Sequence, residues 1–550
     1  MLRLSLFVLY FLSVQFVFAL NWKTYPYHED STVLTFPADE GYHPGNKVEW
    51  WYTTGHVTGD STGNNYSYML TYFRFDTTIL GMTFQGFRIL NLANDNTGEF
   101  YPETLPVSSY STLAQTHLEI KAPVGFPLAT HPEEFTTRKD SAGNLIPFEY
   151  RVNATQGKGF IDMTYRSLVR PLILENGFFY QGATGFTYYY SLTKIEITGT
   201  ISVNGITETV HGTGWIDRQW GEFNPFYGEK YEWFSIQLSN GMAMNIWHIF
   251  DTQNLVPDTP TYRLCSVLVN DSTDWELHDF DFTRLQYNWM PDSQRCYSKS
   301  WRLVYQNIID ITFTTLHDNH EVPLPFRFYE GATSVTGTVY GSPVTGMGFA
   351  ECLHTYRHPQ VQLTAPAENA FWNLSQPFAW QLLNPDSGRP VYYDVEVSTD
   401  NKSTFTKIAQ GITDTFYSWD AAGIALGSNV WLRVTGYSID GKLTGSYTMQ
   451  NGFSYQPEGI ADHRTDKIFL DVFPNPSEGK LSIEIPQGMN APELKVFNCL
   501  GVEVWNQNLK DVHDGGERIS IDLSTLENGT YFLSVTAEGK SCYGKVLLTN

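Results

Sequence analysis

Two tracts of this 550-residue chain set ionisable side chains among large aromatic rings. One is Val48-Glu49-Trp50-Trp51-Tyr52-Thr53-Thr54-Gly55-His56, the other Trp215-Ile216-Asp217-Arg218-Gln219-Trp220-Gly221. Protein cores avoid charge beside rings unless the charge is compensated, so these residues form either a buried ion pair or a reaction centre. Asp217 is the candidate acid: flanking Trp215 and Trp220 would desolvate its carboxyl and favour the protonated form near neutral pH. Such an acid could give its proton to a bound molecule, with aromatic faces to attract a cation formed there. Arg218, its neighbour, argues for the alternative in which Asp217 is ionised, paired and structural.

Strand geometry decides which of these groups can meet. Successive side chains alternate faces, so Glu49 shares a face with Trp51 while Trp50 and Tyr52 point the other way. Asp217 and Trp220 likewise oppose each other unless Gly221 or a bulge turns the chain. Glu49 is a candidate partner for Arg218. The expected catalytic positions are Asp217 and Trp220. The expected ligand contacts are Glu49, Trp50, Trp51, Tyr52, His56, Trp215, Arg218 and His248. His56 reads as a hairpin cap ahead of a proton relay, His248 likewise, and Glu351 as a structural residue of a late strand.

Other chemistries find little support. Gly59-Asp60-Ser61-Thr62-Gly63 fits the Gly-x-Ser-x-Gly pattern but lies in a polar run with no helix after it, so it reads as a turn. There is no His-Glu-x-x-His, no phosphate-cradling glycine loop and no dense His and carboxylate cluster at metal-ligand spacing, so neither metal, nucleotide nor other cofactor is expected. A formal net charge of -23 and the lack of a Lys/Arg run set nucleic acid aside.

The elements that must position these residues are strands. From about Asn21 to Tyr356, short runs of Tyr, Phe, Thr, Val and Ile are broken by Gly, Asn and Asp turns, as in Ile195–Val203 followed by Asn204-Gly205. Some 330 such residues suit two antiparallel barrels better than one. Arg3, the apolar run Leu4–Leu20 and Val17-Phe18-Ala19 have the form of a secretory signal over 1–19, and no later segment is apolar enough over its length for a transmembrane helix. Segment 359–458 reads as a fibronectin type III-like sandwich, with Val391–Val397 and Val430–Val434 alternating as half-buried strands. A polar linker, 459–466, precedes a last segment, 467–550. Five cysteines without a Cys-x-x-Cys leave Cys265–Cys296 and Cys499–Cys542 as possible bridges.

Two resemblances add to this. Phe473-Pro474-Asn475-Pro476, Leu494–Asn498 and Asn528-Gly529-Thr530-Tyr531 resemble the carboxy-terminal sorting domain of the type IX secretion system. That resemblance implies a Bacteroidota source, handling by the type IX secretion machinery, and delivery to the cell surface or beyond. His43–His56, Tyr188-Tyr189-Tyr190-Ser191, Trp215–Gly221, Tyr231–Leu238 and Tyr329-Glu330-Gly331-Ala332 resemble, in order, the AttH and carotenoid 1,2-hydratase family. It implies two lipocalin-like β-barrels, here 20–224 and 225–358, with an apolar ligand between them. The overall expectation is therefore all-β: two lipocalin-like barrels, a fibronectin type III-like sandwich and a small sorting sandwich. In function, the expectation is either acid-catalysed hydration or isomerisation of an isoprenoid or lipid-like ligand, or a non-catalytic carrier of such a molecule. Arg218 departs from the histidine common at that place in the family, and Asn245–Asp251 lacks an obvious Tyr and acid pair.

Overall fold

The computed structural model describes residues 22–79, 81–124, 131–183, 185–223, 229–323, 327–456, 470–513, 516–537 and 540–549. The expected signal sequence and the 459–466 linker lie outside them. The described chain is strands and turns, with one 3-10 turn at Ala38–Glu40.

A first antiparallel sheet runs, edge to edge, through Glu99–Val107, Met82–Asn94, Asn65–Ile79, Val48–Gly59, Ile206–Glu222, Gly185–Val203, Gly159–Ser167, Leu145–Gln156, His131–Lys139, Glu119–Val124 and Thr112–Leu113. It rolls on itself. Arg88 on one side reaches Glu133 on the other at 3.0 Å, and Gln156 donates to the Tyr101 carbonyl at 2.7 Å. The long central hairpin is set by Asn204-Gly205, both at positive φ (48° and 88°), which pairs Val203 with Ile206. A bulge between Leu192 and Ile195 then shifts the register by one residue, bringing Ser191 opposite Asp217.

A second rolled sheet runs through Thr273–Leu277, Arg263–Asn270, Ala243–Phe250, Lys230–Leu238, Ser342–Cys352, Phe328–Val339, Ile309–Thr315, Arg295–Tyr305 and Asp281–Met290. Its closing hairpin turns at Tyr340-Gly341, again both at positive φ, and this register places Glu330 opposite Glu351. Each sheet has its own interior core, one around Trp51, Tyr150 and Trp220, the other around Phe234, Trp301 and Phe313. A third core joins them, with Trp50, Tyr52, Tyr189 and Trp215 from the first sheet against Trp233, Trp247, Phe328 and Phe349 from the second. Burying each such ring contributes roughly 1.5–3 kcal/mol, so this seam is a substantial part of the fold's stability.

Beyond Tyr356, Val361–Ala365, Phe378–Leu382 and Phe416–Tyr417 form one sheet and Tyr392–Ser398, Thr406–Ile412, Asn429–Tyr437 and Thr444–Thr448 belong to another, with Val395, Leu432 and Val434 buried. Contacts group these strands with the two rolled sheets in one compact unit. The carboxy-terminal unit is a separate sandwich in which Ile483, Leu494, Val496, Leu533, Val535 and Val546 fill the core. All five cysteines are free: Cys265 and Cys296 belong to different cores, and Cys499 is exposed while Cys542 is buried. Neither bridge considered from the sequence forms.

Candidate functional site

The regular pairing of Ile206–Glu222 with both neighbours leaves no turn between Asp217 and Trp220, so the two face opposite sides of the first sheet. Trp220 points into the rolled interior and is stacked between His43 (3.9 Å, 2°) and Tyr188 (5.5 Å, 11°). Together with Asp39, Tyr42 and Gln115 it lines an open cavity of about 450 Å³. A joint role for Trp220 with Asp217 is thus separated by the alternation of the strand itself.

Arg218 also points inward, away from Asp217. It donates to Glu49 Oε1 at 2.6 Å and to the carbonyls of Gly41 and Trp50, each at 2.6 Å, and lies over the rings of Trp51 and Trp220. His43 Nδ1 meets the same Glu49 oxygen at 2.8 Å. Of the two ion pairs considered from the sequence, Glu49 with Arg218 forms and Asp217 with Arg218 does not. The second sheet's interior holds a counterpart in Glu232 and Arg284, with Ser298 and Tyr356 donating to Glu232 at 2.5 and 2.7 Å. Burial works to raise Glu232, yet Arg284 holds it below the usual carboxylate range. His248 belongs to that interior: Arg284 contacts its Nδ1 at 3.1 Å, and burial then Arg284 push its pKa far down. Arg284 being only a donor, His248 Nδ1 is the acceptor and the ring is neutral.

Asp217 faces the seam. Cross-strand register builds a row of Thr71, Tyr52, Asp217 and Ser191 across the first sheet, and a row of Glu330, Glu351, Trp233 and Trp247 across the second. Asp217 Oδ1 accepts from Ser191 Oγ and Trp215 Nε1, both at 2.6 Å, and Oδ2 accepts from Tyr189. Trp233 Nε1 (3.2 Å) and Asn245 Nδ2 (2.6 Å) both donate to the Tyr189 oxygen, so the phenol's own proton is directed at Asp217. Tyr52 donates to Glu330 Oε1 at 2.8 Å and Tyr231 to Glu351. Glu330 and Glu351 are direct cross-strand partners, and the Glu351 charge acts on Glu330.

Two buried carboxyls, Asp217 and Glu330, and the half-buried Glu351 therefore share the seam, and among the described residues no Arg or Lys bonds to any of them. Burial pushes Asp217 up to about 7 against the pull of its three donors. Burial raises Glu351 to about 7, and burial followed by the Glu351 charge pushes Glu330 well above its ordinary range. Trp50, Tyr52, Asp217, Gln219, Tyr231, Trp233, Trp247 and Glu351 enclose a cavity of about 10 Å³, room for roughly one water. No cluster of His, Cys, Asp and Glu among the described residues could hold a metal ion.

Of the residues expected from the sequence, Asp217, Trp50, Tyr52 and Trp215 come together here, while Glu49, Trp51, Arg218, Trp220 and His248 serve the two interiors. His56 lies mid-strand rather than capping a hairpin. It packs its ring against Phe349 at 4.8 Å, and burial lowers its pKa to about 4. Glu351, expected to be structural, lines the same cavity as Asp217; Glu330, Tyr189, Tyr231 and Trp233 stood in the family tracts with no role assigned, and Asn245 had none either. The signal for the Glu330–Glu351 pair was present: a two-residue turn at Tyr340-Gly341 counts back to these two as partners.

Comparison with known proteins agrees with this architecture. The family model described as AttH-like matches residues 27–356, and that of the secretion system C-terminal sorting domain matches 471–549. An AttH crystal structure from Nitrosomonas europaea is 20% identical, covering 59% of this chain and 97% of its own, with a TM-score of 0.49. Kievitone hydratase from Nectria haematococca is 17% identical over 60% of this chain and 98% of its own, with a TM-score of 0.46. No curated protein matches the chain. The sorting domain addresses the protein to the cell surface or the extracellular space, and among the described residues no helix is long and apolar enough to cross a membrane. With 27–356 matched over more than half its length, the chain belongs to the AttH-like family.

Proposed function

We propose that this protein is an exported acid–base catalyst of the hydro-lyase or isomerase kind. Its ligand would be an apolar, isoprenoid- or lipid-like molecule bound between segments 20–224 and 225–358. The observation that carries this reading is the Asp217 carboxyl: buried, free of any Arg or Lys partner among the described residues, and facing a water-sized cavity walled by aromatic rings. A carboxyl kept near neutrality by burial can act as a general acid at neutral pH.

In this reading Asp217, in its protonated form, gives its own carboxyl proton to an alkene carbon, forming a C–H bond and a cation on the neighbouring carbon. Ser191, Trp215 and Tyr189 then solvate the carboxylate left behind. The faces of Trp50, Trp233 and Trp247 attract the cation. Water attacks that carbon and gives its surplus proton to Glu351, which returns it to Asp217, so the balance is one water added per turnover. If Glu351 instead removes a proton from an adjacent carbon, the double bond moves and no water is consumed. The cavity admits only a water-sized group, so the reacting carbons enter as lining rings swing aside.

The test incubates the full chain and its Asp217→Asn variant with a lipid extract of the producing cells and reads bound and altered species by mass spectrometry. A species gaining the mass of water with the wild type alone supports the hydratase, and a product of unchanged mass but new retention supports the isomerase. An apolar molecule retained unaltered by both forms makes the protein a carrier.

A further inference from the structure

A second cavity lies against the far side of the carboxyl pair. Ser67, Tyr68, Met69, Asn91, Ala93, Phe100, His320, Glu330 and Phe349 enclose about 10 Å³, again the room one water occupies. Three of these residues carry buried polar atoms with no partner among the described residues: both amide atoms of Asn91, Nε2 of His320 and Oε2 of Glu330. An orphaned buried polar atom costs about 1–3 kcal/mol, so four around one void would be a heavy penalty for a dry cavity. A single water with two to four polar partners is the group whose size and bonding capacity fit.

The position of this cavity gives it a consequence. Glu330 lines it, Glu351 lines the aromatic cavity that holds Asp217, and the two residues are direct cross-strand partners. The groups acting on Glu330 are Glu351, Tyr52 and Asp217, none of them a cation. On the other side, His320 stacks on Phe100 at 4.2 Å and lies 5.1 Å, ring centre to ring centre, from the partly exposed His317. His317 in turn lies 3.6 Å from Asp95, which accepts from Ser67 Oγ at 2.8 Å. Burial keeps His320 neutral, so one ring nitrogen can donate while the other accepts.

We propose that Asn91, His320 and Glu330 hold an internal water linking solvent at His317 and Asp95 to the acid cluster, forming a proton-exchange route separate from the ligand's entry. This rests on reading the seam as an acid centre. In each exchange the water gives a proton to Glu330 Oε2, Glu330 releases its own to Glu351 and the water regains one from the His320 side, which carries one proton inward; the same steps in reverse carry one outward, so a full exchange leaves the charge unchanged. The route lets the carboxyls re-equilibrate with solvent while a bound apolar ligand closes the aromatic cavity.

Infrared spectroscopy of the ligand-free full chain tests it. The carbonyl band of protonated Glu330, identified by its loss in Glu330→Gln, shifts when its proton is replaced by deuterium. After dilution into heavy water the exchange is expected to be at least about tenfold slower in His320→Phe and Asn91→Leu than in the wild type. In those variants it must wait for local opening of the sheets. Equal rates in wild type and both variants would overturn the route. The wild type alone supplies a second test, needing no variant to fold: a crystal structure is expected to hold a water within hydrogen-bonding distance of Asn91, His320 Nε2 and Glu330 Oε2, and a dry cavity there overturns the proposal. Asp217→Asn, which stops turnover in the proposed reaction, is expected to leave exchange at Glu330 intact, so failure of the route and failure of the acid reading give different results.

Discussion

The interiors of the two rolled sheets and the seam between them handle buried carboxyls in opposite ways. Inside, Glu49 pairs with Arg218, Glu133 with Arg88 and Glu232 with Arg284, and backbone carbonyls or hydroxyls absorb the remaining bonds. At the seam, among the described residues, Asp217, Glu330 and Glu351 accept bonds from neutral Tyr, Trp and Ser groups and from no Arg or Lys. Glu40 stands between these cases: it is satisfied by Tyr25 and Tyr150, with Arg218 close enough to act on it, and burial brings it to about 7. The difference separates charge kept as architecture from protons kept available. An ion pair locks its proton balance, whereas a neutral acid in an apolar wall can give its proton away.

The sharpest contrast is in turnover. Asp217→Asn is expected to lower product formation about 10²–10⁴-fold, the range for losing a general acid, with ligand retention preserved. Arg284→Met inverts that pattern: it strands Glu232 without its partner, and urea unfolding is expected to register a loss of about 3–5 kcal/mol. Acid titration of stability comes next in size. Asp217 is raised from 3.8 to about 7, so between those values the folded chain holds a proton that the unfolded chain has released. Stability therefore falls as pH rises from about 4 to about 7 and is level above, each such group adding about 1.4 kcal/mol per pH unit. Asp217→Asn should remove one group's share of that slope in unfolding curves taken across the window. Smallest is Trp220→Phe, which keeps a ring on the far face of the strand and should change turnover by no more than about threefold, under about 0.7 kcal/mol; a loss as deep as that of Asp217→Asn would join the two faces.

Much of this division could be read from residues. Alternation in Val48–His56 assigned Trp51 and Glu49 to one face and Trp50 and Tyr52 to the other, and the structure keeps that assignment. The family tracts pointed to the AttH-like fold and to the sorting domain, which the family models match over 27–356 and 471–549. What stayed hidden was long-range register. Asn204-Gly205 predicts Val203 opposite Ile206, but the bulge at Leu192–Ile195 that sets Ser191 against Asp217 leaves no mark in the sequence. Tyr189 and Asn245, 56 residues apart in the chain, meet only because the two sheets pack face to face. Local pattern carries no information on that packing. The place of Glu351 was hidden for a related reason: a lone Glu in a closing strand shows no partner until the residue across the Tyr340-Gly341 turn is counted.

The most direct measurement is a titration of the full chain labelled with carbon-13 at aspartate side-chain carboxyls, read by NMR with Asp217→Asn as the reference that assigns the resonance. An apparent midpoint near 7 for Asp217 is expected, three units above an ordinary aspartate. A midpoint near 4, or a carboxyl ionised throughout, would contradict a neutral acid at the seam and leave Asp217 a structural carboxylate.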